Sequence, residues 1–149
     1  MKHITETAFS QAKIAAANGE IPVGAVVFHT KTLEIAGVGH NQSYASNDPT
    51  AHAEIVALRQ ACEKQGTIRL PEYSIFSTLE PCPMCAAAIG ICRLQRIYFG
   101  AYDEKGGGTE SGARVPYCTP AFGQVEIYGG IDEAAACDLL RAFFERQRG

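Results

Sequence analysis

The sequence has no tryptophan, only two methionines among its 149 residues, and a charged fraction of just 19%. It has no excess of cations: 13 Lys and Arg stand against 16 Asp and Glu, for a formal charge of -3. That balance argues against broad, nonspecific polyanion binding and leaves room only for a local basic patch. Nothing approaches the roughly 18 consecutive apolar residues of a membrane span, so no membrane partner is expected. The 15 glycines and seven prolines follow no collagen-like period, and there is no internal repeat, low-complexity tract or linker. Behind Lys2, the opening Met1-Lys2-His3-Ile4-Thr5-Glu6 carries no apolar signal segment, so export is not expected and a cytoplasmic location is.

What is present is ordinary for a globular chain. Hydrophobic residues make up 46%, enough for one domain over residues 1–149 with a single core. The six cysteines are Cys62, Cys82, Cys85, Cys92, Cys118 and Cys137. An even count invites a disulfide reading, but a chain this long folds without bridges and cytosolic thiols stay reduced. Clustered thiols are then better read as ligands.

Residues 3 to about 18 predict a helix, with Ile4, Ala8, Ala12 and Ala15 at three- and four-residue steps and Gly19 as its stop. The apolar run 23–28 reads as a buried strand, His29 to Thr32 as a turn, and Leu33 to Val38 as the returning strand of a hairpin. A polar loop follows to Thr50. A second helix is predicted from Ala51 to Lys64, with Ile55, Leu58 and Cys62 on one face and Gly66 at its end. Tyr73 to Thr78 alternates as a strand. A small-residue helix runs from Pro81 to about Cys92, with proline at its start. Arg96 to Ala101 is a fourth strand, 103–123 a long glycine-rich surface loop, and Gln124 to Tyr128 a fifth strand. Asp132 caps a last helix with Leu139, Leu140, Phe143 and Phe144 as its apolar face. Strands alternating with helices predict a central sheet covered on both faces, and periodicity leaves the strand order open.

Two motifs carry chemistry. One is His52-Ala53-Glu54 and the other Pro81-Cys82-Pro83-Met84-Cys85. Cysteines three apart share one face of a helix, and the first turn points their sulfurs at the positive end of the helix dipole, which favours thiolate. Two thiolates and one imidazole suit a zinc ion, and three protein ligands leave the fourth tetrahedral position for water. Zinc lowers the pKa of such a water to about 7. Glu54, two residues from His52, is close enough to share the site while staying off the metal, and a carboxylate there can carry protons. Each motif alone is weak. Together, each at a predicted helix start, they point to a catalytic zinc site with ligands His52, Cys82 and Cys85.

At these residues the chain resembles the cytidine deaminase superfamily, and within it the bacterial tRNA-specific adenosine deaminases. The matching stretches are Glu20 to Val26, Asn47 to Ile55, Ala57-Leu58-Arg59, Arg69-Leu70, Thr78 to Ala86, Arg96 to Ala101 and Phe143-Phe144. Thr78-Leu79-Glu80 and the paired terminal phenylalanines lean toward the tRNA branch. The resemblance implies a three-layer α/β/α fold with a central five-stranded mixed sheet, a homodimer, and one zinc ion per subunit on His52, Cys82 and Cys85. It implies hydrolytic conversion of adenosine to inosine at the first anticodon position of tRNA, with Glu54 as proton shuttle at N1 and the leaving amine. It further implies that Asn41 contacts the target nucleotide, that the Ala53 backbone and the Val23 wall hold the base, and that Asp103 lies near a neighbouring nucleotide.

Other residues have plainer readings. Glu80 could be a second acid, but bonding backbone at the helix start is the better expectation. Cys62 and Cys137 read as core, Cys92 and Cys118 stay open, and His3, His29 and His40 read as surface or loop residues. Arg141 and Arg148 share a helix face, with solvent as the default partner and phosphate as the alternative. Two other functions compete with tRNA editing. A deaminase of a free base or nucleoside, such as guanine or cytosine, would use the same zinc machinery. A non-catalytic zinc module would want four closed ligands and would leave Glu54 without a role.

Overall fold

The computed structural model describes residues 1–118, 120–122 and 124–148. Thr119 and Gly123 of the expected loop, and the terminal Gly149, lie outside the described residues. Helix α1 (Lys2–Ala17) leads into a hairpin of β1 (Gly24–His29) and β2 (Ile35–His40). Then come α2 (Ala53–Gln65), β3 (Tyr73–Leu79), α3 (Pro83–Ile91) and β4 (Arg96–Ala101). Two single-turn 3-10 helices, Val115–Tyr117 and Pro120–Phe122, precede β5 (Glu126–Tyr128) and α4 (Glu133–Arg148). The strands form one mixed sheet in the order β2-β1-β3-β4-β5. β1 is antiparallel to both its neighbours, whereas β3, β4 and β5 run parallel. This is the expected five-stranded mixed sheet, with α1 and α4 packed on one face and α2 and α3 on the other.

The α1 pattern is the one the sequence predicts: Ile4, Ala8, Ala12 and Ala15 are fully buried. In α2 the buried stripe is different from the expected one. Ala53, Ala57 and Ala61 are buried with Leu58, while Ile55 and Cys62 are only partly so. The reason lies on β2. A Cβ at Gly37 would sit 2.3 Å from the Ala57 carbonyl oxygen, and one at Gly39 would sit 2.3 Å from that of Ala53. Glycine on the strand and alanine on the helix let the two backbones meet, which seats the start of α2 against the end of β2.

Several boundaries move for local reasons. β2 begins at Ile35 and not at Leu33, because Leu33 takes a left-handed φ of 64° to close the turn. α3 begins at Pro83, so Pro83 and not Pro81 fills the first helical position. β5 keeps only three residues, and Gln124 and Val125 stay outside it. Phe143 is buried as expected, but Phe144 is 44% exposed and packs edge-on against Phe143. Leu139 and Leu140 are partly buried, and Arg141 is held by Asp138 at 2.9 Å. Gly66 ends α2 with a left-handed φ of 67°, as its place in the sequence suggests.

Candidate active site and metal centre

The site lies where α2 and α3 both begin, at the sheet end where β3 runs out. His52 and Cys82 are the N-cap residues of the two helices, and neither side chain caps its own helix. Both side chains turn instead toward a common point. His52 Nδ1 lies 3.6 Å from Cys82 Sγ and 3.7 Å from Cys85 Sγ. A tetrahedral zinc with ordinary bonds to nitrogen and sulfur would set these separations at about 3.6 Å, so the trio fits the ion. Among the described residues these three form the one such cluster of His, Cys, Asp or Glu.

The orphan groups that this arrangement creates are dealt with nearby. The first N–H of α2, on Ala53, donates to Asn41 Oδ1 at 2.9 Å. Asn41 thus supplies the cap that His52 gives up, and its Nδ2 donates to the Ile21 carbonyl at 3.0 Å. At α3 the first position is Pro83, which has no N–H to satisfy.

Electrostatics couple the trio. The Cys85 thiol and the His52 ring stabilise the Cys82 thiolate and bring its pKa down to about 4, against burial. The same contact raises the Cys85 thiol, with burial adding to it. Hydrogen bonding to Cys82 raises the His52 pKa in turn. Glu54, in the first turn of α2, is 3% exposed. Burial lifts its carboxyl to about 7, and the negative Cys82 adds to the rise.

Above the trio opens a cavity of about 590 Å³. Ile21, Val23 and Leu79 give it an apolar wall, and His52, Glu54 and Cys82 face it. Asn41 and Asp103 line it too. Asp103 Oδ1 accepts the Gly106 N–H at 2.9 Å, so the residue closes its own loop turn as well as facing the cavity.

Glu80 departs from expectation. It bonds backbone, but that of the distant 103–111 segment and not the start of α3. Its Oε1 accepts the Asp103 N–H at 3.0 Å and the Ser111 hydroxyl at 2.8 Å. Its Oε2 accepts the N–H groups of Thr109, Glu110 and Ser111 at 3.2, 2.9 and 2.8 Å, and the Thr109 hydroxyl at 3.0 Å. Burial would raise the carboxyl, but these donors outweigh it and hold its pKa below the usual range. A Cβ on Gly107 would lie 2.6 Å from the Glu80 carboxyl carbon, so glycine is needed there.

One contributor escaped the sequence reading. Glu20 is 2% exposed and its carboxylate accepts the Tyr44 and Ala45 N–H groups at 3.3 and 2.9 Å, anchoring the opposite rim. The signal was faint: a lone acid just ahead of an apolar strand. The remaining cysteines stay off the site. Cys62 and Cys92 pack on the same core cluster, Cys137 is half-buried, and exposed Cys118 donates to the Ala113 carbonyl at 3.2 Å. His40 meets Gln11 at 2.9 Å, and His29 packs edge-on against Tyr73.

Comparison with known proteins agrees with this geometry. The sequence model of the cytidine and deoxycytidylate deaminase zinc-binding region matches residues 1–101. The tRNA-specific adenosine deaminase of Agrobacterium fabrum is 43% identical, over 98% of this chain and 95% of its own. A solved structure from work on A-to-I editing by tRNA:A34 deaminases at the wobble position is 40% identical. It superposes with a TM-score of 0.88, covering 94% of this chain and all of that one. A guanine deaminase structure from Bacillus subtilis is 34% identical with a TM-score of 0.63, covering 68% of this chain and 64% of its own. With two thirds of its length inside the family's zinc-binding region and full-length relatives beyond, the chain belongs to the cytidine and deoxycytidylate deaminase family, as a hydrolytic deaminase of a nucleobase.

Proposed function

We propose that the protein hydrolyses adenosine to inosine at the first anticodon position of tRNA, releasing ammonia. The observation that carries the reading is the open cavity lined by Glu54, His52 and Cys82, with buried Cys85 completing the trio. The full-length relatedness to tRNA-specific adenosine deaminases supplies the substrate.

A zinc ion held by His52, Cys82 and Cys85 would act as Lewis acid and make a bound water a nucleophile at neutral pH. The chain's own groups do the rest. Ile21, Val23 and Leu79 hold the flipped-out base against an apolar wall that excludes water. In this reading Asn41, whose Oδ1 accepts the Ala53 N–H, contacts the target nucleotide, and the Ala53 backbone helps hold the base. Glu54 takes one proton from the attacking water and delivers it to N1. As the C6 carbonyl forms it takes the second proton from the added hydroxyl and passes it to the amine, which leaves as ammonia when the C6–N bond breaks. Glu54 is buried at the cavity beside the trio, and a carboxyl there can both accept and donate a proton. Asp103 lines the same cavity, and in this reading it lies near the neighbouring nucleotide.

Two further features complete the proposal. The outward side of α3 is apolar and Ile91 at its end is 52% exposed, which suits a homodimer across that helix. All six cysteines are free thiols, which suits the reducing cytoplasm.

A free base or nucleoside is the alternative substrate, favoured by one observation: no Lys or Arg is among the described residues lining the cavity. The test is ammonia release by zinc-loaded protein. It is offered an arginine tRNA with adenine at the first anticodon position and, in parallel, a panel of free bases and nucleosides. Inosine in the tRNA with the small molecules untouched supports editing. Turnover of a free base with the tRNA unchanged overturns it.

A further inference from the structure

We propose that Tyr44 is a stacking platform for a base adjacent to the target adenosine. The inference rests on the RNA reading of the cavity. Tyr44 stands on the cavity rim and is 78% exposed.

The other exposed aromatic rings are engaged within the protein. Tyr102 packs edge-on against Phe99, Tyr128 stacks on Tyr98, and Phe144 leans on Phe143. Tyr117 lies under the Arg114 guanidinium and donates its hydroxyl to Glu110 at 2.6 Å. Among the described residues, no ring, cation or hydrogen-bond partner engages the Tyr44 side chain. A large ring left in solvent beside a substrate cavity costs apolar exposure and returns nothing to the fold.

Its backbone, by contrast, is fixed. Buried Glu20 holds the Tyr44 and Ala45 N–H groups. The loop closes on itself through the Ser46 N–H to the Gln42 carbonyl at 2.8 Å and the Asp48 N–H to the Ser43 carbonyl at 3.0 Å. A ring presented from a preset loop loses little entropy on stacking.

The acidic lining, with Asp48 and Asp103 its partly exposed members, favours this mode of contact. Glu20, Asp48, Glu54, Glu80 and Asp103 line the cavity, with no cation among the lining residues described. None of these lining residues offers a cation for phosphate neutralisation, the usual source of nucleic-acid affinity, and Arg59 beside the cavity is paired with Asp48 at 3.8 Å. A base offers an uncharged π face, and stacking on an aromatic side chain is independent of sequence. A strand kept off by the acids at its backbone can still be held by its bases.

The experiment measures KM and kcat for the zinc-loaded protein on a short RNA stem-loop with adenine at the first anticodon position. Wild type is compared with Y44A, Y44F and Y44W, and with stem-loops made abasic at the 5′ or the 3′ neighbour in turn. Tyr44 has no partner in the fold to lose, so Y44A should fold as wild type. Y44A is expected to raise KM about five- to 150-fold with kcat unchanged, while Y44F and Y44W keep the wild-type KM. One of the abasic substitutions should raise the wild-type KM by a similar factor and add little to Y44A. A wild-type KM for Y44A on RNA that wild type edits overturns the platform and leaves the functional reading standing. So does a Y44A effect confined to kcat, or one that multiplies in full with both abasic effects. A wild-type protein that leaves the stem-loop unedited overturns the functional reading, and this inference with it.

Discussion

Two buried glutamates face the same cavity and behave in opposite ways. Glu54 is 3% exposed and Glu80 is 2% exposed. Burial lifts the Glu54 carboxyl to about 7. The same force acts on Glu80 and loses to six donors from the 103–111 segment. Burial alone therefore does not set what a carboxylate does; its supply of donors does. An acid poor in donors stays ready to exchange a proton near neutral pH, and an acid saturated with them is a fixed post for a loop.

The largest effect that tests this contrast is on turnover. E54Q keeps the shape of the side chain and removes its proton chemistry. Turnover should fall about 10²- to 10⁴-fold, while the urea midpoint and the zinc content stay those of wild type. An E54Q protein that turns over normally would remove Glu54 from the chemistry, and one that melts early would make it a post like Glu80.

The next effect is on stability. E80A leaves six donors without their acceptor in a buried site, which should cost about 3–5 kcal/mol, read from urea unfolding. E80Q keeps one oxygen but sets an NH2 group against N–H donors, at a cost of about 1–3 kcal/mol. Both variants should still bind zinc once folded, since neither touches a ligand. A wild-type unfolding curve for E80A would mean that the 103–111 segment holds itself in place.

Zinc removal sharpens the same contrast. At free zinc about a hundredfold above its Kd, the metal should add about 2.7 kcal/mol to the folded state, and chelation should remove it. The loss should be equal in wild type and E54Q, because the three ligands His52, Cys82 and Cys85 lie within 4.8 Å of one another without Glu54. A smaller zinc effect in E54Q, followed by thermal melting, would count Glu54 as a ligand.

The contrast also marks what the sequence could convey. The order of elements was readable because helix and strand periods are local, and so was the pairing of His52-Ala53-Glu54 with Cys82 and Cys85, since short spacings at helix starts constrain geometry. The role of Glu80 was not readable. Its partners lie 23 to 31 residues away in a segment without periodicity, and nothing local tells a loop post from a helix cap. The buried stripe of α2 was hidden for a similar reason: alanine looks neutral until the glycines of β2 come to face it. Leu33 misled because its apolar side chain fits a strand while its backbone closes the turn.

The smallest expected effect falls on Asn41, which stands between the two glutamates in character. Its side chain is committed at both ends, to the Ala53 N–H and the Ile21 carbonyl, yet it also faces the cavity. If it is a post, N41A should cost about 1 kcal/mol, the usual loss for a helix cap, and change nothing else. If it also holds the nucleotide, N41A should raise KM as well. N41D separates the two roles. An aspartate keeps an acceptor for the Ala53 N–H, so the cap and most of the stability should return. It cannot donate, so a contact that depends on the amide hydrogens should stay lost and KM should stay high. Recovery of both quantities in N41D would confine Asn41 to capping, and recovery of stability alone would make it the residue through which the start of α2 senses the substrate.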